Sequence, residues 1–566
     1  MRTIYLSSIA ALGSAILVAA SSTGAPIAPH ADLDAEQRQN LNGIALASED
    51  AIKPDDASRF AKQASFGPTD ELIKAIIAKK SIASWLEDQF NLSSSTYSDL
   101  ASKPVPIGYC SNKTGTEQSD CTRDNFSATP MQVRFYANAI GKDDQLRQRV
   151  AFALSQIIVA SDMDVRSTAG LATFNQILLT NAFGNYRDIL KSVTMNPYMG
   201  DYLDMADSSA TQPNENYARE LMQLFSIGTI LLNPDGTPQT DNTGAAIATY
   251  NNTDVKEVAR ALTGWTYSRF DGAAPSANSG NRDYSRPMMI YSGKFDTGAK
   301  SFLGKTIPIG ASQQTNVDAV IDAVFNHPNA GPYICKRLIQ QLTVPNPMPA
   351  YVERVAAVFA NNGSGVRGDM KSVVRAIYLD SEARVFTQAP GKVKEPVLLI
   401  TSLARAIGVT SDGYAFFTRD ASMGQALFRA PSVFNFYSYD FPMPQSQGLT
   451  SPVSKLMTTS TAVARHNFVF DWTMGADNSR SEFKPTMGSG TTFNWTSWEA
   501  IGADDGKIVD RINLLMLNGT MTSAQRQALL TAMAAIKNND SALQTRKRAQ
   551  VALYIAASSP FFQVDR

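Results

Sequence analysis

Histidine is nearly missing from this chain: the 566 residues hold three, at positions 30, 327 and 466. So sparse and separated a set argues against a histidine-rich metal centre and leaves few candidates for a Ser-His-Asp triad. Cysteine is as scarce, at 110, 121 and 335, and no Cys-x-x-Cys pair occurs. Excess charge is absent too. Lys and Arg total 51, as do Asp and Glu. That removes the basic surplus on which nucleic-acid binding usually rests, although a local patch stays open. Gly-x-Ser-x-Gly, the P-loop lysine motif and His-Glu-x-x-His do not occur, which disfavours the enzymes built on them. Gly363 to Gly368 matches G-x-G-x-x-G, but a helical pattern, Tyr351 to Phe359, precedes it where the fingerprint needs a strand. No nicotinamide or P-loop nucleotide is therefore expected. The glycines read as a turn into a helix capped by Asp369.

What is present suits a large globular protein: 44% hydrophobic and 18% charged residues. Residues 1–20 read as a signal peptide. Arg2 is its positive start, Ile4 to Ala20 its uncharged apolar stretch and Val18-Ala19-Ala20 its cleavage site, with a mature chain from about Ser21. The rival reading is an uncleaved anchor, for which the apolar run is near the short limit. No later segment approaches a membrane span, so the mature chain is expected to be soluble and exported, periplasmic or secreted. Export makes a local disulfide between Cys110 and Cys121 reasonable, and Cys335 reads as a buried thiol in a helix.

Residues 21–53 are polar, Ala-rich and without periodicity, and read as a disordered leader. Apolar spacing by three and four then dominates. It predicts a mostly α, multi-helix globular protein with a few short strands: a helical core over 54–445 and a C-terminal helical region over 446–566 packed on it. Three loop insertions, 92–128, 232–253 and 268–312, interrupt the core. Asn233-Pro234-Asp235-Gly236 is a turn signal, and Thr522 with Gln525 fits a capping box.

The densest polar stretch is Pro213 to Gly228. Pro213 and Asn214 suit a helix start, Gly228 its stop. On that helix Glu215 and Arg219 stand four apart, acid first, an ion pair of about 0.2–0.5 kcal/mol. Asn216, Glu220 and Gln223 share another face, while Tyr217, Leu221 and Leu224 form the packing stripe. As chemistry, Glu220 is a general acid or base, Asn216 a positioning amide and Arg219 an anion clamp. As structure, these residues are a solvated face with one ion pair. Asp201, Asp204 and Asp207 come just before. The first two could share a helical face and gather carboxylates for glycoside hydrolysis or a hard cation such as Ca²⁺, or they could serve helix-end solubility. Asp204 with Glu220 is the preferred acid pair. His327-Pro328-Asn329 offers a loop imidazole or a capping turn. Arg147 and Arg149 could bind an anionic polymer, pair with a buried acid or face solvent, and the aromatics Phe434 to Phe441 could stack on sugar or fill a core.

Many ordered landmarks carry a resemblance. They include Arg59-Phe60, Ser65-Phe66-Gly67-Pro68-Thr69, Gln145 to Ala151, Asn181 to Tyr186, the Pro213 to Gly228 stretch and Ala259 to Trp265. His327-Pro328-Asn329, Gly365 to Asp369 and Pro431 to Tyr437 continue the series. On these the chain, from about residue 55 to its end, resembles the domain-of-unknown-function 1800 family of exported bacterial proteins. The resemblance implies export and an unassigned role. It also implies a partner exported protein related to sulfatases and phosphatases, whose genes often neighbour those of the family. One position departs from the family pattern: Phe295 stands where His usually precedes the Asp. A role that needs that imidazole is in doubt here.

The reading that follows is an exported carboxylate-based hydrolase acting on an anionic or carbohydrate polymer. Glu220, Asp204 and Glu215 would do acid/base work or hold a divalent cation. Asn216, Arg219, Arg260 and His327 would bind substrate. The alternative is a non-catalytic secreted or envelope assembly or binding protein.

Overall fold

Short amphipathic helices are marginal alone and become stable by burying their apolar stripes against one another. The chain is built on that rule. The structure is a computed structural model that describes residues 52–275, 279–385, 391–446, 448–485 and 488–565; the stretch read as a signal peptide and nearly all of that read as a leader lie outside these. Among the described residues there are 25 α-helices and only two-stranded antiparallel pairs of strands. The mostly α expectation holds. The longest helix, Ser541–Ser558, has 18 residues, and no described helix is long and apolar enough to cross a membrane.

A contiguous apolar core takes side chains from Ala57 to Phe562, so residues on both sides of 445 contribute to it. Helix Ala330–Leu342 lies against Pro349–Ala360, which lies against Met370–Leu379. Helix Gln145–Ile157 packs on Thr168–Thr180 and on Ala330–Leu342. Toward the C-terminus, Ser541–Ser558 is the hub for Thr459–Thr473, Asp505–Leu517 and Ser523–Ala534. The two ends of the described chain meet. Helix Pro54–Ala64 packs on Asp505–Leu517, and the last strand, Val564–Asp565, pairs antiparallel with Lys392–Val393.

Local chemistry explains several predicted features. Thr522 and Gln525 form the expected capping box. Asp369 caps the helix Met370–Leu379, and the preceding glycines sit at positive φ in a turn held by the Asn361 and Asn362 side chains. Gly67 has φ +137°, and a Cβ there would lie 2.5 Å from Ser402 Cα. The Ser65 to Thr69 landmark thus marks a close backbone approach between the first helices and Pro396–Ile407. Cys110 and Cys121 are disulfide-bonded, and Cys335 is a fully buried free thiol.

One expectation is corrected: the 92–128 insertion is not all loop, because Gly115–Asn125 is helical. The 232–253 insertion holds no regular strand, only isolated bridges such as that between Ile230 and Ala248.

Candidate functional site

The polar stretch folds as helix Asn216–Gln223, two residues shorter at its start than its sequence suggests. Asn214 Oδ1 accepts from the Asn216 amide at 2.9 Å, capping from outside the helix. At the other end the amides of Ile227 and Gly228 both donate to the Met222 carbonyl at 3.0 Å, and Gly228 takes the left-handed φ of +69° that such a stop requires. Tyr217 and Leu221 are buried as expected, with Ala218, Met222 and Phe225 beside them, while Leu224 is only half-buried.

Glu220 departs from a solvated face. It shares its face with exposed Asn216, yet only 9% of its surface is accessible. Its Oε2 is sealed with no hydrogen-bond partner. Burial raises its pKa above the ordinary carboxylate value, and neighbouring Arg219 opposes this only in part. The half-buried phenols of Tyr202 and Tyr250 lie close enough to feel the Glu220 charge. Tyr250 is pushed up to about 12, by burial first, with Arg219 opposing and Glu220 adding to the shift. Sequence reading missed both tyrosines. They come from separate segments, and only Tyr202 had a signal, its place between Asp201 and Asp204.

The three aspartates do not gather. The helix carrying Asp201 ends at Tyr202, and Asp204 follows in a left-handed turn at φ +56°, so the two do not share a helical face. Asp201 is held by Tyr267 and Arg282, each at 2.7 Å, and by the Tyr284 hydroxyl. Asp207 accepts from Thr266 at 2.7 Å and lies 3.6 Å from Lys294. Asp204 remains exposed and takes one bond, from Asn216 Nδ2 at 2.7 Å. Asn216 precedes Glu220 by four residues on one helix, so this bond ties Asp204 to the residue one turn before Glu220.

The other candidates have local partners. Glu215 and Arg219 form the expected i,i+4 pair at 2.9 Å, with 34% and 41% of their side chains exposed. Arg260 is bidentate to Asp296 through Nε and Nη2, at 2.8 and 3.2 Å, and its Nη1 donates to both Glu257 oxygens at 2.7 and 2.9 Å, which holds its guanidinium strongly charged. His327 accepts the Asn329 amide at Nδ1, 3.1 Å away, and burial, then Arg367, lowers its pKa. In that triplet the asparagine braces the site: buried Asn329 Nδ2 donates to the carbonyls of Ile227 and Ile230, just past the helix. Phe295 lies 5.2 Å from the buried Lys300 ammonium, which donates to the Asp296 and Gly298 carbonyls. An apolar ring thus covers a cation where the family pattern has His. Gly264, at φ +81°, leaves room for Phe295, whose Cβ would lie 2.7 Å from an added side chain.

A carboxyl whose pKa burial raises, a second carboxylate held by Asn216 on the same helix and a half-exposed arginine can support acid/base chemistry. Among the described residues no group of three or more His, Cys, Asp or Glu is placed to hold a metal ion. No curated protein and no solved structure matches the chain. The description "Protein of unknown function (DUF1800)" matches residues 59–564, and the chain belongs to that family.

Proposed function

We propose that this is an exported hydrolase of a carbohydrate or other anionic polymer, with Glu220 as acid and Asp204 as base. The observation that carries the reading is Glu220: a buried carboxyl with an unpartnered oxygen and a raised pKa, on a helix whose Asn216 holds Asp204. Burial raises the pKa of Glu220, so its proton is held to higher pH than on a carboxyl in water and can pass to a leaving oxygen. On a glycoside, the C–O bond to the leaving sugar breaks as Glu220 protonates that oxygen. A water supplies the new C–O bond and passes its proton to Asp204. Arg219 can swing from Glu215 to a substrate anion, because both side chains reach solvent. Export is supported by the N-terminal pattern and by the Cys110–Cys121 disulfide, a bond that persists in oxidising compartments.

The assembly or binding reading stays second, favoured by Arg260, whose guanidinium is committed to Glu257 and Asp296. The test is release of reducing ends from a panel of neutral and anionic glycans by the exported protein, beside Glu220→Gln and Asp204→Asn. Turnover by the wild type alone supports the hydrolase. Retention on a glycan column without turnover removes it in favour of binding. The exported protein should begin at about Ser21; an intact N-terminus would sink the cleaved-signal reading.

A further inference from the structure

Helix Gln145–Ile157 carries Arg149 into the interior, 2% exposed, where no carboxylate meets it. Its Nη2 donates to the Gln341 carbonyl at 2.7 Å, while Nε and Nη1 are buried without partners. Lys392, also buried, donates to the same carbonyl at 2.6 Å. Two cations thus converge on one oxygen near the C-terminus of helix Ala330–Leu342, an end worth only about half a negative charge. A third cation is close. Arg465, 0% exposed, donates to the Lys394 carbonyl at 2.8 Å and leaves Nε and Nη1 unpartnered. The carboxylate among them is Glu395, fully buried, 3.9 Å from Lys392 and bonded by Gln425 at 2.7 Å. Asp565, the next carboxylate, is already shared by Lys394 and Lys62.

Uncompensated buried charge is costly, and proteins pair it or neutralise it. Here Arg149 has no carboxylate partner, Lys392 feels Glu395 and more weakly Asp565, Arg465 feels Glu395, and guanidinium groups stay protonated. A cavity opens beside the surplus. It is lined by Lys392, Gln341, Tyr437, Tyr439 and Ser451, and encloses about 290 Å³ including its mouth. Its interior admits a guest about the size of a water molecule. Lys392 has three N–H groups and commits one to Gln341, which leaves donors for a guest. The site is separate from the Glu220 helix and does not rest on the hydrolase reading.

We propose that the cavity beside Lys392 binds a small monovalent anion of halide size, which neutralises the Arg149, Lys392 and Arg465 group. The probes are chloride and bromide. Thermal unfolding of the mature chain is followed as chloride replaces gluconate, too large for the cavity, at constant ionic strength. The midpoint should climb with the logarithm of chloride concentration. Lys392→Met should weaken the apparent affinity at least tenfold, and Glu220→Gln should leave it unchanged. Crystals soaked in bromide should show anomalous density beside Lys392 Nζ, a wild-type readout that stands even if the variant does not fold. Equal midpoints in the two salts, or ordered water without bromide in the cavity, overturn the proposal.

Discussion

Replacing Glu220 by Gln keeps its shape and removes its proton. The folded pKa lies above the ordinary 4.5, so the protonated acid fits its burial and the carboxylate does not. Its contribution to stability is complete below the unfolded value and is lost as pH rises through the raised folded one. Glu220→Gln should therefore match the wild type near pH 4 and melt at higher temperature at about pH 8, while activity disappears. A gap that shrinks with rising pH would contradict the burial argument. Asp204 sets two effects against each other. Its left-handed φ costs about 1 kcal/mol relative to Gly, and the Asn216 bond returns about 1 kcal/mol. Asp204→Gly should leave stability within about 0.5 kcal/mol by urea unfolding yet abolish turnover. A large loss would mean that Asp204 is chiefly structural. Sequence spacing found Glu220, Asn216 and the Glu215–Arg219 pair, because i,i+4 spacing is a property of the helix itself. It could not find the burial of Glu220, which depends on what the rest of the fold lays over that face.

Elements were legible where an apolar stripe was clean. Helix Thr459–Thr473, inside the region read as helical, had no clear bounds because its pattern is smeared: Arg465 is buried while Val463 and Phe470 are 54% and 38% exposed. Helix Gly115–Asn125 escaped because it has almost no stripe, its buried side chain being Cys121. The disulfide, not apolar burial, anchors it. Cys121→Ser should cost roughly 2–3 kcal/mol, the value for a loop of that length, and should raise hydrogen exchange across residues 115–125. Exchange unchanged there would show that the helix stands without the bond. Gly67 gives the converse case, a turn that sequence alone could name but not explain. Gly67→Ala would drive a Cβ to 2.5 Å from Ser402 Cα at a φ of +137°, and should cost at least about 3 kcal/mol. A melting point within error of the wild type would refute that close approach.

For the whole molecule, the decisive contacts are the long-range ones. Asp565 is the shared counter-charge of Lys394 and Lys62, whose side chains are 1% and 7% exposed. Burial, then Lys394, lowers the Lys62 pKa to about 7, even with Asp565 3.4 Å away. Asp565→Asn should cost about 3 kcal/mol, near the low end for a broken buried pair because 22% of the aspartate side chain reaches water. The loss should deepen as pH falls below about 7, where Lys62 must charge without its partner. A variant as stable as the wild type at pH 6 would rule this out. The residue pairing could not be foreseen, since positions 62 and 565 stand at opposite ends of the sequence.

The strand pair of Val564–Asp565 with Lys392–Val393 also sets an order of events in time. A ribosome releases residue 62 long before residue 565, so the early segments wait with two lysines lacking their counter-charge. Pairings of such separation form slowly and late. Under the export proposed above, late closure of this pair suits a chain that must pass through a narrow channel before it is fully folded.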